Sequence, residues 1–400
     1  MKRRIACCLL ALNFAVGCAP VQRQPSSPPN PAEAHSSALT PAASAKAPAR
    51  FSELPERHAV EEPSGVRQKS VPEDRTPEPS AEIEDAPAPA PEQCMLPEST
   101  LPYGFYRDDA HTAGEVVLTF DDGPTVNHTP RVLKLLEKHG YGATFFLVGK
   151  NIRSNTYHLV QRMLEQGHTI GSHSYNHDVE MSFRDNERSV GYIEGQHQTT
   201  QMLIELALVA TSAEDFRAIY QRVFGSAEGR YLSGTELRTK WPEWEARHFE
   251  LLRERGYPVV SHEDDGARRY PIVYSRPPGG GPYLGAPKRL RKLNDEALAR
   301  VGFLNVLWHD ASGDTVDGVR NDPLALGDNL RRSTRRGGVV LLHDYIRKDA
   351  LETYLTELDK KDDWQVVSLD SYSEAKYGCS PPALRQAMMA ARPAADSAAE

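Results

Sequence analysis

The sequence has no surplus of positive charge. Lys and Arg number 47 against 55 Asp and Glu, a formal net charge of −8, which argues against a general binder of nucleic acid or anionic membranes. Apolar residues are also scarce. They make up 39% of the 400 residues and the mean hydropathy is −0.54, so much of the chain must be unusually polar. From residue 19 to about 93 aromatics almost vanish, and Pro, Ala, Ser and Glu take their place. Such a stretch cannot bury enough apolar surface to offset its ordering entropy, so 19–93 is expected to be a disordered tether. The chain holds 30 prolines, too many for one compact fold, and most lie before residue 102. The tail 381–400 is Ala-rich without a strand pattern and is expected to be disordered too. That leaves 94–380 as the folded domain.

Lys2, Arg3 and Arg4 precede an apolar run, Ile5 to Val16, that is too short to cross a membrane as a mature helix. Ala15-Val16-Gly17-Cys18 comes next and resembles a bacterial lipobox. The resemblance implies a signal peptide over 1–18, lipid on Cys18, and an exported protein anchored in the cell envelope. An ordinary secretory signal cut nearby is the alternative. Ala19 points to the outer membrane, facing the periplasm, if the cell is Gram-negative. Cysteine is sparse, with five in all. Cys7 and Cys8 leave with the signal and Cys18 takes the lipid, so Cys94 and Cys379 remain as an even pair in an oxidising compartment. They are expected to form a disulfide.

Within 94–380, short apolar runs alternate with helical periodicity. Val116 to Phe120 reads as a buried strand. Thr129 is expected to cap a helix with Pro130 in its first turn, and Gly140 ends it. Further strands are expected at Ala143–Val148, from His168 to Ile170, and at Ile272–Tyr274, Phe303–Trp308, Val339–His343 and Trp364–Leu369. Repeated strand–helix units imply an α/β fold with a parallel sheet, and about 285 residues suit a (β/α) barrel. Between about 203 and 265 the rhythm breaks. Helical spacing persists there without a clear strand, which marks a mainly helical insertion, either packed structure or a wall over a substrate groove.

Five blocks carry candidate chemistry, each at the end of an expected strand. Thr119-Phe120-Asp121-Asp122-Gly123-Pro124 offers two carboxylates that can divide labour as base and metal ligand, or that serve Asx turns and caps. His173-Ser174-Tyr175-Asn176-His177 places two imidazoles four residues apart. With one carboxylate they make three protein ligands and leave positions open for water and substrate; chance surface spacing is the rival. In Ser275-Arg276-Pro277-Pro278-Gly279-Gly280-Gly281 the prolines stiffen the loop after Arg276, and a plain rigid loop is the rival. Trp308-His309-Asp310-Ala311-Ser312-Gly313-Asp314 and Leu341-Leu342-His343-Asp344 each place a histidine at a strand end near an aspartate. That arrangement suits an oriented general acid, or a satisfied core histidine.

In this order the five blocks resemble the polysaccharide deacetylase family, the NodB homology domain of carbohydrate esterase family four, from about Glu115 to Leu369. The resemblance implies a distorted (β/α) barrel and one divalent metal. Asp122, His173 and His177 match its ligands. Zinc is the first choice for that donor set, and cobalt or nickel fit the same ligands. Asp121 matches the general base and Arg276 the arginine that pairs with it. His343 matches the general acid and Asp314 the aspartate that orients it. Leu341 matches the apolar wall of the acetyl pocket, and Gly279 the backbone N–H donor to the oxyanion. Three positions depart from the pattern: Gly279 stands where an aromatic is usual, Ala311 where an aspartate is, and Thr315 where a tryptophan is. Asp310 is therefore an alternative to Asp314.

The implied activity is removal of N-acetyl groups from peptidoglycan or a chitin-like N-acetylglucosamine polymer, with release of acetate. The implied partners are an acetylated glycan and, through the lipid, a membrane; no nucleic acid and no obligate protein partner are expected. The alternatives are an O-acetyl esterase on xylan or another glycan, and a decayed cell-wall-binding lipoprotein. Arg331, Arg332, Arg335 and Arg336 read as a solvated helix face, or as a contact for an anionic glycan.

Overall fold

The computed structural model describes residues 94–95, 104–107, 109–183, 187–257 and 274–390. The signal segment, Cys18, the tether 19–93 and residues 258–265 of the expected insertion lie outside them. The first half of the described chain contains β1 (Gly104–Phe105), β2 (Glu115–Asp121), α1 (Thr129–His139), β3 (Thr144–Leu147), α2 (Tyr157–Glu165), β4 (Thr169–Ser172), α3 (Glu187–Val209), α4 (Ala213–Phe224), α5 (Gly234–Thr239) and α6 (Trp241–Glu254). The second half adds β5 (Tyr274–Ser275), α7 (Lys288–Arg300), β6 (Leu304–Val306), β7 (Asp310–Ala311), α8 (Pro323–Arg336), β8 (Gly338–His343), α9 (Lys348–Leu358), β9 (Gln365–Val366), α10 (Leu369–Tyr377) and α11 (Pro381–Ala390). No helix among the described residues is long and apolar enough to cross a membrane.

The strands form one parallel sheet in the order β1-β6-β5-β4-β3-β2-β8-β7, with β9 paired to the start of β2. With helices between its strands, this curled sheet is the distorted (β/α) barrel. Strand periodicity explains the layers. Val116, Leu118 and Phe120 of β2, with Val340 and Leu342 of β8, pack against helix residues such as Leu133, Leu136, Leu330 and Tyr354. Val117 and Val339 belong to a second cluster with Phe146, Tyr274 and Val306 on the other face. Alternation therefore puts Thr119 and Asp121 on the face of Val117, and Leu341 and His343 on the face of Val339.

Three expectations need correction. Residues 381–390 are helical rather than part of a disordered tail. Alanine is a strong helix former, and Leu384 and Met388, four residues apart, are fully buried against the second core cluster. Likewise the helical stretch expected from about 203 starts earlier, at Glu187. In α3 the run from Gln196 to Gln201 is polar yet buried on every side, so no apolar stripe announces the helix. The chain departs from the barrel only after α3, through α4, α5 and α6. At α1 the cap position is His128. The Thr129 hydroxyl instead donates to Asp344 Oδ2 at 2.7 Å.

Candidate active site

The parallel register gathers the expected residues at one end of the sheet. Asp121, the last residue of β2, lies opposite Phe146 of β3 and His343 of β8. Ser172, just before His173, lies opposite Ser275, just before Arg276. This is the C-terminal edge of the strands, where loops are free to carry chemistry.

Arg276 is the centre of the inner layer. It is fully buried, and its NH1 donates to Asp121 Oδ1 and to Thr119 Oγ1, each at 2.8 Å, while Nε donates to the Val306 carbonyl at 2.9 Å. Its guanidinium lies 4.2 Å from the centre of the Phe146 ring and 5.7 Å from that of Trp308. Burial pulls the guanidinium pKa down, and Asp121 opposes it. A buried arginine next to a carboxylate is tolerable because each meets the other's charge. The second oxygen of Asp121, Oδ2, is left facing His173 Nε2 at 3.6 Å.

Asp122, His173 and His177 form the only group of three or more metal-capable side chains among the described residues, with donor atoms all within 4.8 Å of one another. His173 Nδ1 lies 2.8 Å from the Arg276 carbonyl. A carbonyl only accepts, so Nδ1 carries the hydrogen and the Nε2 lone pair is free. That Nε2 is 3.6 Å from Asp122 Oδ1, and His177 Nε2 is 3.1 Å from the same oxygen. Asp122 Oδ1 is buried and receives no hydrogen bond of proper geometry. Burial raises the Asp122 carboxyl, but the adjoining His177, with His173 and His343, outweighs it and brings the pKa to about 2. Burial likewise keeps the His173 imidazole below its ordinary range, with Asp121 and Asp122 opposing. An ionised carboxylate and a neutral imidazole are the forms that ligate a cation. Asp122, Ser174 and His177 have φ of 75°, 64° and 61°, a conformation costing of order 1 kcal/mol each outside glycine. Both ligand loops are therefore held against their local preference, and the donor set fits a divalent ion.

His343 faces this group from β8. Its Nδ1 donates to Asp314 Oδ1 at 2.8 Å, and its backbone N–H donates to Asp314 Oδ2 at 2.7 Å. Burial works against a charged imidazole here, but Asp314, then Asp121 and Asp122, raise its pKa above the ordinary value. Asp310 goes elsewhere: its Oδ2 lies 3.3 Å from Arg336 NH1 and 3.7 Å from Arg332 Nε. Arg331 pairs with Glu357 and Asp328. Leu341 is buried on the same face as His343, opposite Thr119 and Ala311. Gly279 is exposed, with φ 62°, on a cleft of ≈ 600 Å³ bounded by Val179, Phe183, Gly281 and Leu284. Its place is thus a loop wall, and a Cβ there would meet Val179 at 3.8 Å.

Sequence reasoning gave no role to three residues of this region. Tyr345 stacks on His343 with ring centres 5.1 Å apart. Thr119 holds Arg276 while donating to the Val340 carbonyl at 2.7 Å. Asn151 Nδ2 donates to the Asp122 carbonyl at 2.9 Å. Tyr345 adjoins one singled-out block and Thr119 opens another, so their position was a usable signal; Asn151 carried none.

Residues 108–209 match the family model described as polysaccharide deacetylase. A peptidoglycan-N-acetylglucosamine deacetylase of Bacillus cereus is 41% identical over 75 residues, 19% of this chain and 27% of that protein. The peptidoglycan-N-acetylglucosamine deacetylase PgdA of Listeria monocytogenes is 48% identical over 68 residues, 17% of this chain and 14% of that protein. Residues 108–209 are thus similar to a polysaccharide deacetylase domain. The deacetylase match spans about a quarter or less of the length of these curated relatives. Among solved structures, the peptidoglycan deacetylase PdaC of Bacillus subtilis aligns with this chain at TM-score 0.41 and 20% identity, covering 66% of this chain and 92% of that one.

Cys94 and Cys379 are joined sulfur to sulfur, with Cα atoms 5.0 Å apart. Beside the bridge the Met95 N–H donates to the Tyr377 carbonyl at 2.7 Å.

Proposed function

We propose that the chain is a divalent-metal-dependent hydrolase that removes N-acetyl groups from a polysaccharide, peptidoglycan or another N-acetylglucosamine polymer. The observation that carries the reading is the convergence of three units at one sheet end: Asp122–His173–His177, Asp121–Arg276 and Asp314–His343. Asp122, His173 and His177 would hold the ion, zinc by preference. When bound, a divalent ion supplies Lewis acidity toward water and the acetamide carbonyl. Asp121 takes the attacking water's proton on Oδ2, since Arg276 occupies Oδ1. His343 hands a proton from Nε2 to the departing amine nitrogen, because an unprotonated amine leaves poorly. Asp314 keeps Nδ1 engaged so that Nε2 faces the reaction. The Gly279 N–H is assigned to the oxyanion and Leu341 to the acetyl methyl. The products are acetate and a free glucosamine-type amine.

Acetate release from N-acetylglucosamine oligomers and from peptidoglycan, measured beside acetylated xylan, tests this. Chelation should abolish release, and Zn²⁺, Co²⁺ or Ni²⁺ should restore it. Release from xylan alone would make the protein an O-acetyl esterase, and no release from any substrate would count against catalysis.

The Lys2–Cys18 pattern supports export and lipid attachment at Cys18, with the protein held in the cell envelope. Incorporation of labelled fatty acid that is lost in Cys18→Ala tests that part.

A further inference from the structure

Beside the metal-capable group lies a second pocket, of ≈ 300 Å³, lined by Lys150, Arg153, Tyr175, Tyr220, Arg230 and Tyr231, with Glu228 also on its wall. Two of its walls belong to the active-site loops. Lys150 and Arg153 follow β3, and Asn151 between them donates to the Asp122 carbonyl at 2.9 Å. Tyr175 and Asn176 follow β4 and lead directly to His177; Asn176 also lines the pocket. The remaining wall comes from Leu203 of α3, from α4 and from the stretch joining it to α5. The pocket therefore opens at the catalytic end of the sheet, and the helices that interrupt the barrel complete it.

The charges in the pocket are unequal in kind. Arg230 is matched by Glu236, with N and O 2.7 Å apart. Glu228 accepts the N–H and hydroxyl of Ser154, and Arg217 Nε is 3.8 Å away. Lys150 and Arg153 differ. Lys150 Nζ donates to the Asn176 carbonyl at 2.8 Å, and Arg153 Nε donates to the Lys150 carbonyl at 2.8 Å. Among the described residues neither cation has a carboxylate within ion-pair distance. Two exposed cations thus share one concavity with no anion assigned to them, while the local carboxylates are already engaged. The buried Tyr175 and Tyr220 line the same pocket. At the rim Tyr231 is 69% exposed, an aromatic face open to stacking against a ring.

We propose that this pocket is a subsite for an ionised carboxylate borne by the sugar unit adjoining the one that is deacetylated. Lys150 and Arg153 bind the carboxylate and Tyr231 lies against the pyranose ring. The inference rests on the deacetylase reading and extends it to substrate class: an acidic glycan is preferred over a neutral one. A polyphosphate such as nucleic acid is disfavoured by the net charge of −8.

Binding without turnover tests it and keeps it separate from the activity assay. The probe is the de-N-acetylated disaccharide of glucosamine and muramic acid, titrated calorimetrically into the metal-loaded protein beside its methyl ester. The wild type should bind the acid at least tenfold more tightly than the ester, a preference that shrinks with salt. Lys150→Met with Arg153→Met should bring the two within twofold and leave the ester affinity unchanged. Lys150→Arg and Arg153→Lys should keep the preference. Should the double variant misfold, Arg153→Met alone, on an exposed side chain, should still narrow the gap. Equal binding of acid and ester by the wild type, no binding of either, or an undiminished preference in the Met variants overturns the proposal. Failure of the deacetylase reading would appear instead as absent acetate release.

Discussion

Asp314 holds His343 at two points, accepting the imidazole Nδ1–H on one oxygen at 2.8 Å and the backbone N–H on the other at 2.7 Å. The same carboxylate therefore fixes both the ring and the strand end that carries it. Burial alone would lower the pKa of His343, and Asp314 is the first of the groups that raise it. The acid form exists below that pKa and is lost as pH rises through it. Asp314→Asn should therefore move the alkaline limb of kcat/KM to lower pH, and His343→Ala should cost about 100-fold or more in kcat. Asp310→Asn, remote from His343, should leave the limb in place. A pH profile of Asp314→Asn that superimposes on the wild type would refute the orienting role.

Metal content separates the adjacent aspartates. Asp122→Ala, His173→Ala and His177→Ala should lose bound metal and activity together. Asp121→Asn should retain metal while turnover falls by about 100-fold or more. Elemental analysis of the purified variants decides this, and an empty site in Asp121→Asn with a full one in Asp122→Asn would reverse the roles.

The Arg276 pair should matter for stability as well as catalysis. Arg276→Met leaves Asp121, 3% exposed, as a buried carboxylate without its cation. Breaking such a pair costs about 3–5 kcal/mol. Denaturant unfolding at neutral pH should show a loss of that size. A variant as stable as the wild type would mean that water or a metal ion compensates Asp121.

The bridge between Cys94 and Cys379 spans a sequence separation of 285 residues. Cross-links over long loops typically contribute about 2–4 kcal/mol by restricting the unfolded chain. Cys379→Ser should lower the melting temperature accordingly. Labelling of the denatured, unreduced 94–379 segment should find no reactive thiol, and two would contradict the bridge.

Much of this site was legible because its chemistry sits in short blocks at strand ends. Asp121, Asp122, His173, His177, Arg276 and His343 each come after an apolar run, and a parallel sheet brings such ends together whatever their distance in sequence. The choice between Asp310 and Asp314 was not legible. It depends on the register that sets Ala311 opposite Leu341, after which Asp314 reaches His343 while Asp310 turns toward Arg332 and Arg336. Helix α11 was hidden by an Ala-rich composition that suits a helix and a disordered tail equally; its buried Leu384 and Met388 decide the matter. The start of α3 was hidden because its buried residues include glutamines and threonines, which leave no hydropathy period to read. A place for the inserted helices near the expected site residues could be suspected from their position between His177 and Arg276, but Lys150 and Arg153, which share a pocket with Tyr220 of α4, come from the loop after β3.

The sulfur bridge also sets how the domain bears mechanical load. Tension drawn along the chain from ahead of Cys94 to beyond Cys379 runs through two side chains and one covalent bond, so the intervening fold hangs beside that line as a slack loop. Tension that enters ahead of Cys94 and leaves through a glycan held at the active site is different. It divides at the bridge, one branch passing toward β1 and the other into α10 at Tyr377. Neither the short strand β1 nor helix α10 would then carry the full pull alone.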